Sequence, residues 1–505
     1  QIDRRPEQVP YHTPMDPIRF LLRSAMVYRN KTAVIHGDQA YDYETLADRV
    51  LQLANVLIQD FHVRPGDRVA VLCQNTPAYL EATFAVPAAG CILVPLNTRL
   101  APPENEYLIK HCGATVLIIQ EQHLSRITPG VKETIKMIRV ADQQNPGQPS
   151  CQYELLLQEK KKKEEASGTM LMKWNELPLT TDENALITIN YTSGSAGKPK
   201  GVMQSYRSCY LMAMNMCVHA RLTLDTKYLW TAPMFHCNGW NFTWAVVAVG
   251  GTHVMLDKID YPRIWKLLQE HRVTHYGAAP TVQNELAHHK DAVCLDHPVS
   301  CIIGGSPLSS KTSGPSVHTY DRAALSQYPE EQHAELISRQ GFSIISQDET
   351  RVLDPKTGKD VVANGKQVGE ICSSGNTTML GYYNDVKATK KAFQGGVFWS
   401  GDLGVRHPDG AVEVIDRAKD VVVSGGENIS SIEVENTIMM LEVVSDCAIV
   451  GGPDEIWGER PFAYIVVWEG KAITAEAVIF HCRRNLAGYK CPSKIIFVDK
   501  LPKTE

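Results

Sequence analysis

Apolar residues in the first 120 positions follow two alternating patterns. Four leucine and valine positions from Leu46 to Leu57 recur at steps of three or four residues, which predicts an amphipathic helix capped by Asp42. Short apolar runs predict buried strands at residues 68–73, 91–95 and 116–119, and residues 78–86 predict a second helix. Because short strands that alternate with helices form βαβ units, the pattern predicts a largely parallel sheet.

A polar interval separates this region from the next. Residues 121–180 include a run of lysines at 160–163 followed by two glutamates, and such a charge run predicts a solvated face or loop. The alternation of strand, loop and helix resumes over residues 185–256. After about Asp416, a small α+β domain is predicted by strand-like stretches (447–450, 462–467, 494–498) and helical stretches (431–440, 475–486).

Composition and charge exclude several classes of protein. The 505 residues are 44% hydrophobic and 21% charged, as in ordinary globular proteins, and the length predicts about two to four domains. A net charge of −5 argues against nucleic-acid binding, which usually requires a basic stripe. The 13 cysteines form no CxxC pair, so we expect buried free thiols in a reducing compartment.

No secretory signal and no transmembrane segment is visible in the sequence. Its N-terminal stretch lacks an apolar core, and its longest apolar stretches fall short of the roughly 20 residues that a membrane span needs. We therefore expect an intracellular protein, cytoplasmic or peroxisomal, whose C-terminal targeting signal is not visible.

The most informative segment is YTSGSAGKPKGV, residues 191–202, which follows an apolar run at 185–189. Its glycines allow backbone N–H groups to close around phosphate oxygens, and its hydroxyls and lysines add donors and positive charge. It is not a Walker A loop, because Pro199 follows Lys198 and Thr192 stands where that pattern needs a glycine. A flexible surface loop is the alternative interpretation.

This segment resembles the phosphate-binding signature of the adenylate-forming superfamily, which includes acyl-CoA synthetases, adenylation domains of peptide synthetases and firefly-type luciferases. Stand-alone acyl-CoA synthetases are the most similar group. The resemblance implies that the loop holds the β- and γ-phosphates of ATP. The implied phosphate contacts are Thr192, Ser193, Gly194, Ser195, Gly197 and Lys200.

A second motif, PMFHCNGW at residues 233–240, resembles the next element of that superfamily. The resemblance implies that His236 has a catalytic and substrate-binding role between the acyl pocket and the path of the CoA thiol. Asn238, Gly239 and Trp240 are implied to line the acyl pocket or the thiol tunnel. A histidine satisfied within the core is the alternative for His236.

Further motifs follow in the order that the superfamily has. In WSGDLG, Asp402 is implied to accept hydrogen bonds from both ribose hydroxyls, which suits a carboxylate with two acceptor oxygens. In IDRAKD, Arg417 is implied to reach the ribose or a phosphate, and Lys419 matches the hinge between domains. The remaining implied cofactor contacts are Gly304, Gly305, Ser306 and Pro307 at the adenine and acyl pockets, and Gly425 and Gly426 beside the pantetheine arm. Ordinary turns at a domain edge are the alternative.

The resemblance implies the fold and the reaction. The expected fold is α/β: a large N-terminal domain of stacked α/β sheets with a small barrel-like subdomain (residues 1–416), then a small mobile α+β domain (residues 417–505). The expected enzyme is an ATP-dependent acid:CoA ligase, which forms an acyl-adenylate and pyrophosphate, and then acyl-CoA and AMP. ATP, Mg²⁺ and CoA are the expected cofactors, and a small carboxylic acid is the expected partner, with no nucleic acid and no transmembrane segment.

Two stretches depart from the superfamily. In relatives, a Thr-Glu pair that binds phosphate and magnesium precedes the string TSGP, which here follows Pro307 almost directly, at residues 312–315. The chain also ends at LPKTE, residues 501–505, before a Gly-Lys whose lysine contacts the carboxylate and α-phosphate in relatives. We interpret both as segments missing from this sequence. A true deletion would weaken magnesium binding.

Two other functions fit the same residues. One is adenylation with a different acceptor, such as a carrier-protein thiol, and the other is a degenerate protein that only binds nucleotide or acyl-CoA. A P-loop kinase is excluded by the departure from Walker A. The acid itself is not determined, although the context of His236 resembles ligases for short-to-medium-chain, branched or aromatic acids.

Overall fold

A computed structural model describes residues 12–142, 151–167, 172–192, 198–303, 317–319, 322–417, 420–424, 427–454 and 457–502. The chain divides into two compact units. The first comprises Gln1–Ser316, Ile344–Gln347 and Gly375–Lys391, and the second comprises Val317–Ser343, Asp348–Ser374 and Ala392–Glu505.

Strands and helices alternate along most of the chain. The strands are β1 (Thr32–His36), β2 (Gln39–Asp42), β3 (Arg68–Leu72), β4 (Ile92–Pro95), β5 (Ala114–Gln120), β6 (Lys136–Val140), β7 (Leu186–Tyr191), β8 (Gly201–Ser205), β9 (Lys227–Leu229), β10 (Thr252–Val254), β11 (His275–Ala278), β12 (Ser300–Ile303), β13 (Val317–His318), β14 (Phe342–Ser343), β15 (Arg351–Leu353), β16 (Gly369–Ser373), β17 (Gly381–Tyr382), β18 (Phe398–Arg406), β19 (Val412–Arg417), β20 (Val422–Ser424), β21 (Glu427–Ile429), β22 (Val444–Asp454), β23 (Gly458–Val467) and β24 (Lys494–Phe497). The helices are α1 (Ile18–Val27), α2 (Tyr43–Asn55), α3 (Pro77–Ala88), α4 (Pro102–Cys112), α5 (Pro129–Thr134), α6 (Gln152–Ser167), α7 (Tyr206–His219), α8 (Cys237–Trp240), α9 (Phe242–Ala248), α10 (Tyr261–Glu270), α11 (Pro280–His288), α12 (Arg322–Leu325), α13 (Glu330–Ser338), α14 (Val386–Ala392), α15 (Ser431–Met439) and α16 (Ala475–Asn485).

Two sheets of mostly parallel strands build the first unit. One has the order β17-β8-β7-β4-β3-β5-β6, and the other has the order β12-β11-β9-β10-β1-β2. In the first sheet the strands from β7 to β6 run parallel, whereas β8 turns back against β7 and pairs with β17. In the second sheet only β2 is antiparallel to its neighbour. The predicted parallel sheet and the predicted α/β fold class are confirmed.

The predicted first helix forms where its apolar spacing placed it. Asp42 caps α2 by accepting a hydrogen bond from the backbone N–H of Thr45 at 2.9 Å. Leu46, Val50 and Leu57 are fully buried, as the spacing of three and four residues requires. The helix then widens into a π-helical turn at Val56–Asp60, so the helical segment is longer than its α-helical part.

Helix α3 is enclosed on every side. All of its residues are buried, including Glu81, whose side chain is completely inaccessible to solvent. An ionised carboxylate in such a place is costly unless it is paired and hydrogen-bonded. Arg49 of α2 donates from Nε to Glu81 Oε1 at 2.6 Å, and the hydroxyl of Tyr41 donates to the same oxygen at 2.7 Å. Arg49 also binds Glu154 of α6, so two buried carboxylates share one guanidinium.

The lysine run at residues 160–163 is not wholly exposed as predicted. Residues 160–163 were expected on a solvated face or loop, but they belong to α6, and Lys160 is only 4% exposed. Its ammonium donates to Asp60 Oδ1 at 2.8 Å and to Gln59 Oε1 at 2.9 Å. Lys161 and Lys162 are exposed, as predicted. The prediction is wrong for Lys160 because a carboxylate distant in sequence compensates its burial.

The second unit contains antiparallel sheets. A four-stranded sheet has the order β15-β16-β18-β19. A five-stranded sheet has the order β21-β20-β23-β22, with β24 added parallel to β23, and β13 pairs with β14. Helices α15 and α16 contribute Val434, Ile438, Val478 and Cys482 to the core of the five-stranded sheet. The strands and helices predicted after Asp416 are confirmed, and β22 and β23 are longer than predicted.

Two further expectations concern the cysteines and membrane-spanning helices. All thirteen cysteines are free, and all but Cys217, Cys294 and Cys301 are buried. Among the helices that the structure describes, none combines the length and the apolar composition that crossing a membrane requires.

Replacing Arg49 with Met should strongly destabilise the protein. The change leaves Glu81 and Glu154 buried without a positive charge, and loss of one partner of a buried ion pair costs about 3–5 kcal/mol. We expect a clearly lower midpoint in urea unfolding followed by tryptophan fluorescence. Arg29→Met is the matched control, because Arg29 pairs with Glu44 at the exposed surface. Equal midpoints for the two variants would contradict this account.

Candidate active site

The loop of the phosphate signature joins β7 to β8 in the first unit. Antiparallel pairing brings its two ends together, because Tyr191 at the end of β7 faces Gly201 at the start of β8. The backbone N–H of Thr192 donates to the carbonyl of Lys200 at 3.0 Å, which continues the ladder by one further step. Ser193, Gly194, Ser195 and Gly197 lie outside the described residues.

The neighbours of Gly201 crowd the place where a side chain would begin. A Cβ atom at this position would lie 2.7 Å from Cγ2 of Ile189 and 3.2 Å from Cβ of Tyr383. The carbonyl of Gly201 accepts a hydrogen bond from the N–H of Tyr383 at 2.7 Å. The outgoing end of the loop is therefore held between two strands.

Both lysines of the loop lie over tyrosine rings. Nζ of Lys200 is 5.0 Å from the ring centroid of Tyr382 in β17, and Nζ of Lys198 is 5.2 Å from that of Tyr107 in α4. Such contacts are within the range of a cation–π interaction. Both lysine side chains are exposed, so their ammonium groups are available to an anion in solvent.

The segment that follows His236 adopts an uncommon backbone. Five successive residues from Cys237 to Asn241 have φ between 49° and 63°, and Gly239 is the only glycine among them. Left-handed conformations cost roughly 1–2 kcal/mol for each residue with a side chain. Such strain persists only where the surroundings impose it, and it clusters at functional sites.

Asn75 and Trp230 hold this turn in place. Asn75 accepts from the N–H of Met234 at 2.8 Å and donates to the carbonyls of Trp230 and Ala232 at 3.0 Å each. The ring of Trp230 lies so close to Gly239 that a Cβ there would be 2.4 Å from Cζ3. Trp230 in turn donates from Nε1 to Nδ1 of His253 at 3.0 Å, and burial lowers the pKa of His253 to about 3. His253 is therefore a neutral acceptor.

The three predicted pocket residues and His236 differ in their accessibility. Asn238 is 2% exposed, and its amide donates to Oδ1 of Asn190 in β7 at 3.3 Å, so it connects the turn to the strand that leads into the loop. Gly239 is buried against Trp230, whereas Trp240 and His236 are half-buried. Desolvation lowers the pKa of His236, so its imidazole is neutral at pH 7 and can accept or donate a hydrogen bond without carrying charge.

The second unit carries the predicted ribose contact. Asp402 in β18 is 1% exposed and is paired across the ladder with Arg417 in β19. Gly401 has φ of 83°, and its N–H donates to Oε1 of Glu370 in β16 at 2.8 Å, which fixes the backbone immediately before Asp402. The structure thus places Asp402 beside the backbone of Arg417.

The remaining predicted residues lie outside the described part of the chain. They are Gly304, Gly305, Ser306, Pro307, Lys419, Gly425 and Gly426, and the side chain of Arg417 is likewise outside it. Among the described residues, no group of three or more His, Cys, Asp or Glu side chains comes together as a metal site.

The middle of α15 contains a half-buried carboxyl. Glu435 accepts from the N–H of Ile449 at 2.8 Å, and burial raises the pKa of Glu435 to about 7, with Asp416 and Asp446 adding to the rise. Asp416, the last residue before Arg417, accepts from the N–H of Ser431. The contact of Asp416 connects β19 to the beginning of α15, and that of Glu435 connects the same helix to β22.

Sequence reasoning missed the residues that position this site. Tyr107 and Asn75 have no motif of their own, and each acts on a residue that is distant in sequence. Glu370 and Tyr382 stand in the strings GEI at residues 369–371 and GYY at residues 381–383, and both strings resemble the superfamily at those places, although the contacts of the two side chains were not predicted.

Comparison with known proteins gives two family matches. A model described as AMP-binding enzyme matches residues 21–383, and a model described as AMP-binding enzyme C-terminal domain matches residues 433–505.

Curated relatives match over nearly the whole chain. 4-hydroxybutyrate--CoA ligase 2 of Metallosphaera sedula is 36% identical, with 98% of this chain and 93% of the relative covered. The peroxisomal benzoate--CoA ligase of Arabidopsis thaliana is 34% identical, with 97% and 91% covered.

Solved structures agree on the fold. ATP-bound MatB from Rhodopseudomonas palustris aligns with a TM-score of 0.82 at 23% identity, over 97% of this chain and 96% of that chain. An o-succinylbenzoate coenzyme A synthetase from Bacillus subtilis, in complex with ATP and magnesium ion, aligns with a TM-score of 0.77 at 25% identity, over 96% of each chain.

Replacing Gly239 with Ala should destabilise the protein more than the same change at Gly37. Both positions have φ near 60°, so both variants lose the freedom of glycine. Only Gly239 adds a collision with Trp230, because nothing lies within 4 Å of a Cβ at Gly37. We expect a larger fall of the thermal unfolding midpoint for Gly239→Ala. A fall no larger than that of Gly37→Ala would show that the turn can shift away from Trp230.

Proposed function

The chain belongs to the AMP-binding enzyme family and is an AMP-forming acid–thiol ligase, and from this premise we propose how its residues divide the reaction. A carboxylic acid and ATP give an acyl-adenylate and pyrophosphate, and the thiol of CoA then gives acyl-CoA and AMP. The observation that carries this conclusion is the match to CoA ligases over nearly the full length of the chain.

In the adenylation step the protein contributes mainly positioning and charge neutralisation, and it forms no covalent bond to the substrate itself. A carboxylate is a weak nucleophile, so the protein must place it in line with the α-phosphate and offset the negative charge that develops. We assign phosphate contacts to Thr192, Ser193, Gly194, Ser195, Gly197 and Lys200. The exposed ammonium of Lys200, at the strand-held end of the loop, supports this assignment.

Nucleoside binding is assigned to the second unit and to the glycine turn. Asp402 is buried on β18 beside the backbone of Arg417, and a carboxylate there suits the two hydroxyls of a ribose. Arg417 is assigned to ribose or phosphate. Gly304, Gly305, Ser306 and Pro307 are assigned to the adenine and acyl pockets.

Thioester formation is assigned to His236 and to the C-terminal domain. A neutral, half-buried His236 fits a position between the acyl group and the thiol, where a fixed positive charge is not required. We propose that the domains meet at residue 416/417, that Lys419 is the hinge, and that Gly425 and Gly426 admit the pantetheine arm. Asn238, Gly239 and Trp240 shape the acyl pocket or tunnel, with Asn238 acting through its buried amide.

Magnesium is expected to arrive with ATP. The described residues do not assemble a magnesium site of their own, so no step is assigned to the ion here. Magnesium is commonly held by substrate phosphates together with one or two carboxylates. The alignment with the Metallosphaera sedula ligase spans 526 positions, more than the 505 residues of this chain, so that relative contains residues that this sequence lacks.

We propose a short-to-medium-chain or aromatic acid as the substrate. The relatives include ligases named for 4-hydroxybutyrate, butyrate, benzoate and trans-cinnamate. We also propose a cytoplasmic or peroxisomal location, since several relatives from Arabidopsis thaliana are named as peroxisomal.

Pyrophosphate release by the full-length protein tests the reaction and identifies the acid. ATP and Mg²⁺ are supplied with a panel of the acids named above and with long-chain fatty acids as controls, with and without CoA. We expect release that depends on one class of acid, together with an acyl-CoA product. Release without an acyl-CoA product would indicate another acceptor, and no release with any acid would indicate a protein that only binds.

Replacing Lys419 with Pro should block thioester formation more than adenylate formation. Proline restricts the backbone rotation that a hinge needs, and the two half-reactions require different positions of the small domain. We expect near-normal pyrophosphate release in a single turnover and a large loss of acyl-CoA. Glu469→Pro, at the second position of the turn between β23 and α16, is a control for proline elsewhere in the domain. Equal loss of both half-reactions would refute the hinge.

A further inference from the structure

Two tyrosines outside the signature loop hold its lysines at fixed places. We propose that Tyr107 and Tyr382 are positioning residues for ATP, which seat the ammonium groups of Lys198 and Lys200, and that Lys198 is a second phosphate contact beside Lys200. This inference rests on the proposed function, because it assumes that the loop binds the phosphates of ATP.

The first support is the geometry of the two seats. Nζ of Lys200 lies 5.0 Å from the ring centroid of Tyr382, and Nζ of Lys198 lies 5.2 Å from that of Tyr107. The two rings come from different elements, β17 and α4, yet both meet the same short limb of the loop. One such contact could be accidental. Because each of the two lysines, Lys198 and Lys200, lies over its own tyrosine ring, we infer that the two contacts serve the same function.

The second support is the rigidity beneath the seats. Tyr382 is buried, and β17 pairs with β8 through Tyr382 and Val202, so the sheet fixes the backbone that carries the ring. The hydroxyl of Tyr107 donates to the carbonyl of Pro199 at 3.3 Å, which ties α4 to the residue between the two lysines. Tyr107 also packs against His111, whose Nδ1 lies 2.7 Å from the hydroxyl of Tyr191.

The third support is the chemistry of an aromatic seat. A carboxylate would neutralise a lysine and occupy its donors, whereas the face of a ring attracts the cation and leaves its N–H donors available. Within the described part of the chain, neither Lys198 nor Lys200 forms an ion pair with a carboxylate. Restricting a lysine before the ligand arrives lowers the rotamer entropy that is lost on binding. The two ammonium groups are therefore pre-placed and still charged.

Binding of ATP and of AMP to the full chain, measured by calorimetry without any acid, tests the proposal. The lysines are assigned to the β- and γ-phosphates, which AMP lacks. For Tyr382→Leu and Tyr107→Leu we expect a Kd for ATP about three- to fivefold higher, and a Kd for AMP within about twofold of the unchanged protein. Tyr382→Phe keeps the ring and should bind both nucleotides normally. Tyr107→Phe keeps the ring but loses the hydrogen bond to the carbonyl of Pro199, so its Kd for ATP should lie between those of the unchanged protein and Tyr107→Leu.

Matched control variants distinguish loss of the lysine–tyrosine contacts from a nonspecific effect of the substitution on the protein. Tyr261→Leu removes a half-buried tyrosine of α10 and should leave both Kd values unchanged. Lys198→Gln should weaken ATP binding about fivefold or less and spare AMP, whereas Lys132→Gln, at an exposed lysine of α5, should change neither. In the Lys198→Gln background, Tyr107→Leu should have no further effect, because the tyrosine acts through that lysine.

Three results would overturn the proposal. They are unchanged ATP binding in both Leu variants, equal weakening of ATP and AMP, and additive effects of Tyr107→Leu and Lys198→Gln. Should a Leu variant not fold, unchanged binding of ATP by Lys198→Gln would overturn the proposal as well. Failure of the unchanged protein to bind ATP would instead refute the proposed function.

Discussion

The antiparallel pairing of β7 with β8 is the constraint on which the site of the first unit depends. It closes the signature loop at its base, since Tyr191 faces Gly201 across the ladder and Thr192 bonds to Lys200. The other side of β8 pairs with β17. That pairing brings Tyr382 to Lys200, while Ile189 and Tyr383 crowd residue 201 from either side.

The same strand also reaches the turn after His236. Asn190, one residue before the end of β7, accepts the amide hydrogen bond of Asn238, so the loop and the turn share one support. The turn itself is unfavourable as an isolated peptide, since its residues from Cys237 to Asn241 are all left-handed. Burial against Trp230 and the hydrogen bonds of Asn75 offset that cost. A strained segment that is fixed at both ends can hold a neutral histidine in one place.

A buried charge network lies elsewhere in the first unit. Helix α3 is wholly enclosed, and its single carboxylate, Glu81, is satisfied by Arg49 and by two tyrosine hydroxyls. The second unit uses a different device, since Asp402 depends on strand pairing and on the contact of Glu370 with Gly401. Both units thus bury carboxylates, but one neutralises them with a guanidinium and the other fixes the backbone that presents them.

The sequence by itself determined the elements and the chemistry. The spacing of apolar residues was sufficient to predict α2, β3, β4 and the elements of the small C-terminal domain. An element that buries one face needs that spacing wherever it lies in the fold. The motifs at Thr192, Lys200, His236 and Asp402 predicted phosphate, thiol and ribose roles through their resemblance to the adenylate-forming superfamily, and those roles stay predictions. Tertiary structure alone decided the partners of those groups. Tyr107 meets Lys198, Asn75 holds the turn, and Lys160 is buried on Asp60, although none of these pairs is adjacent in sequence. Periodicity describes which face of an element is buried, but only the packed chain determines which distant side chain lies opposite it.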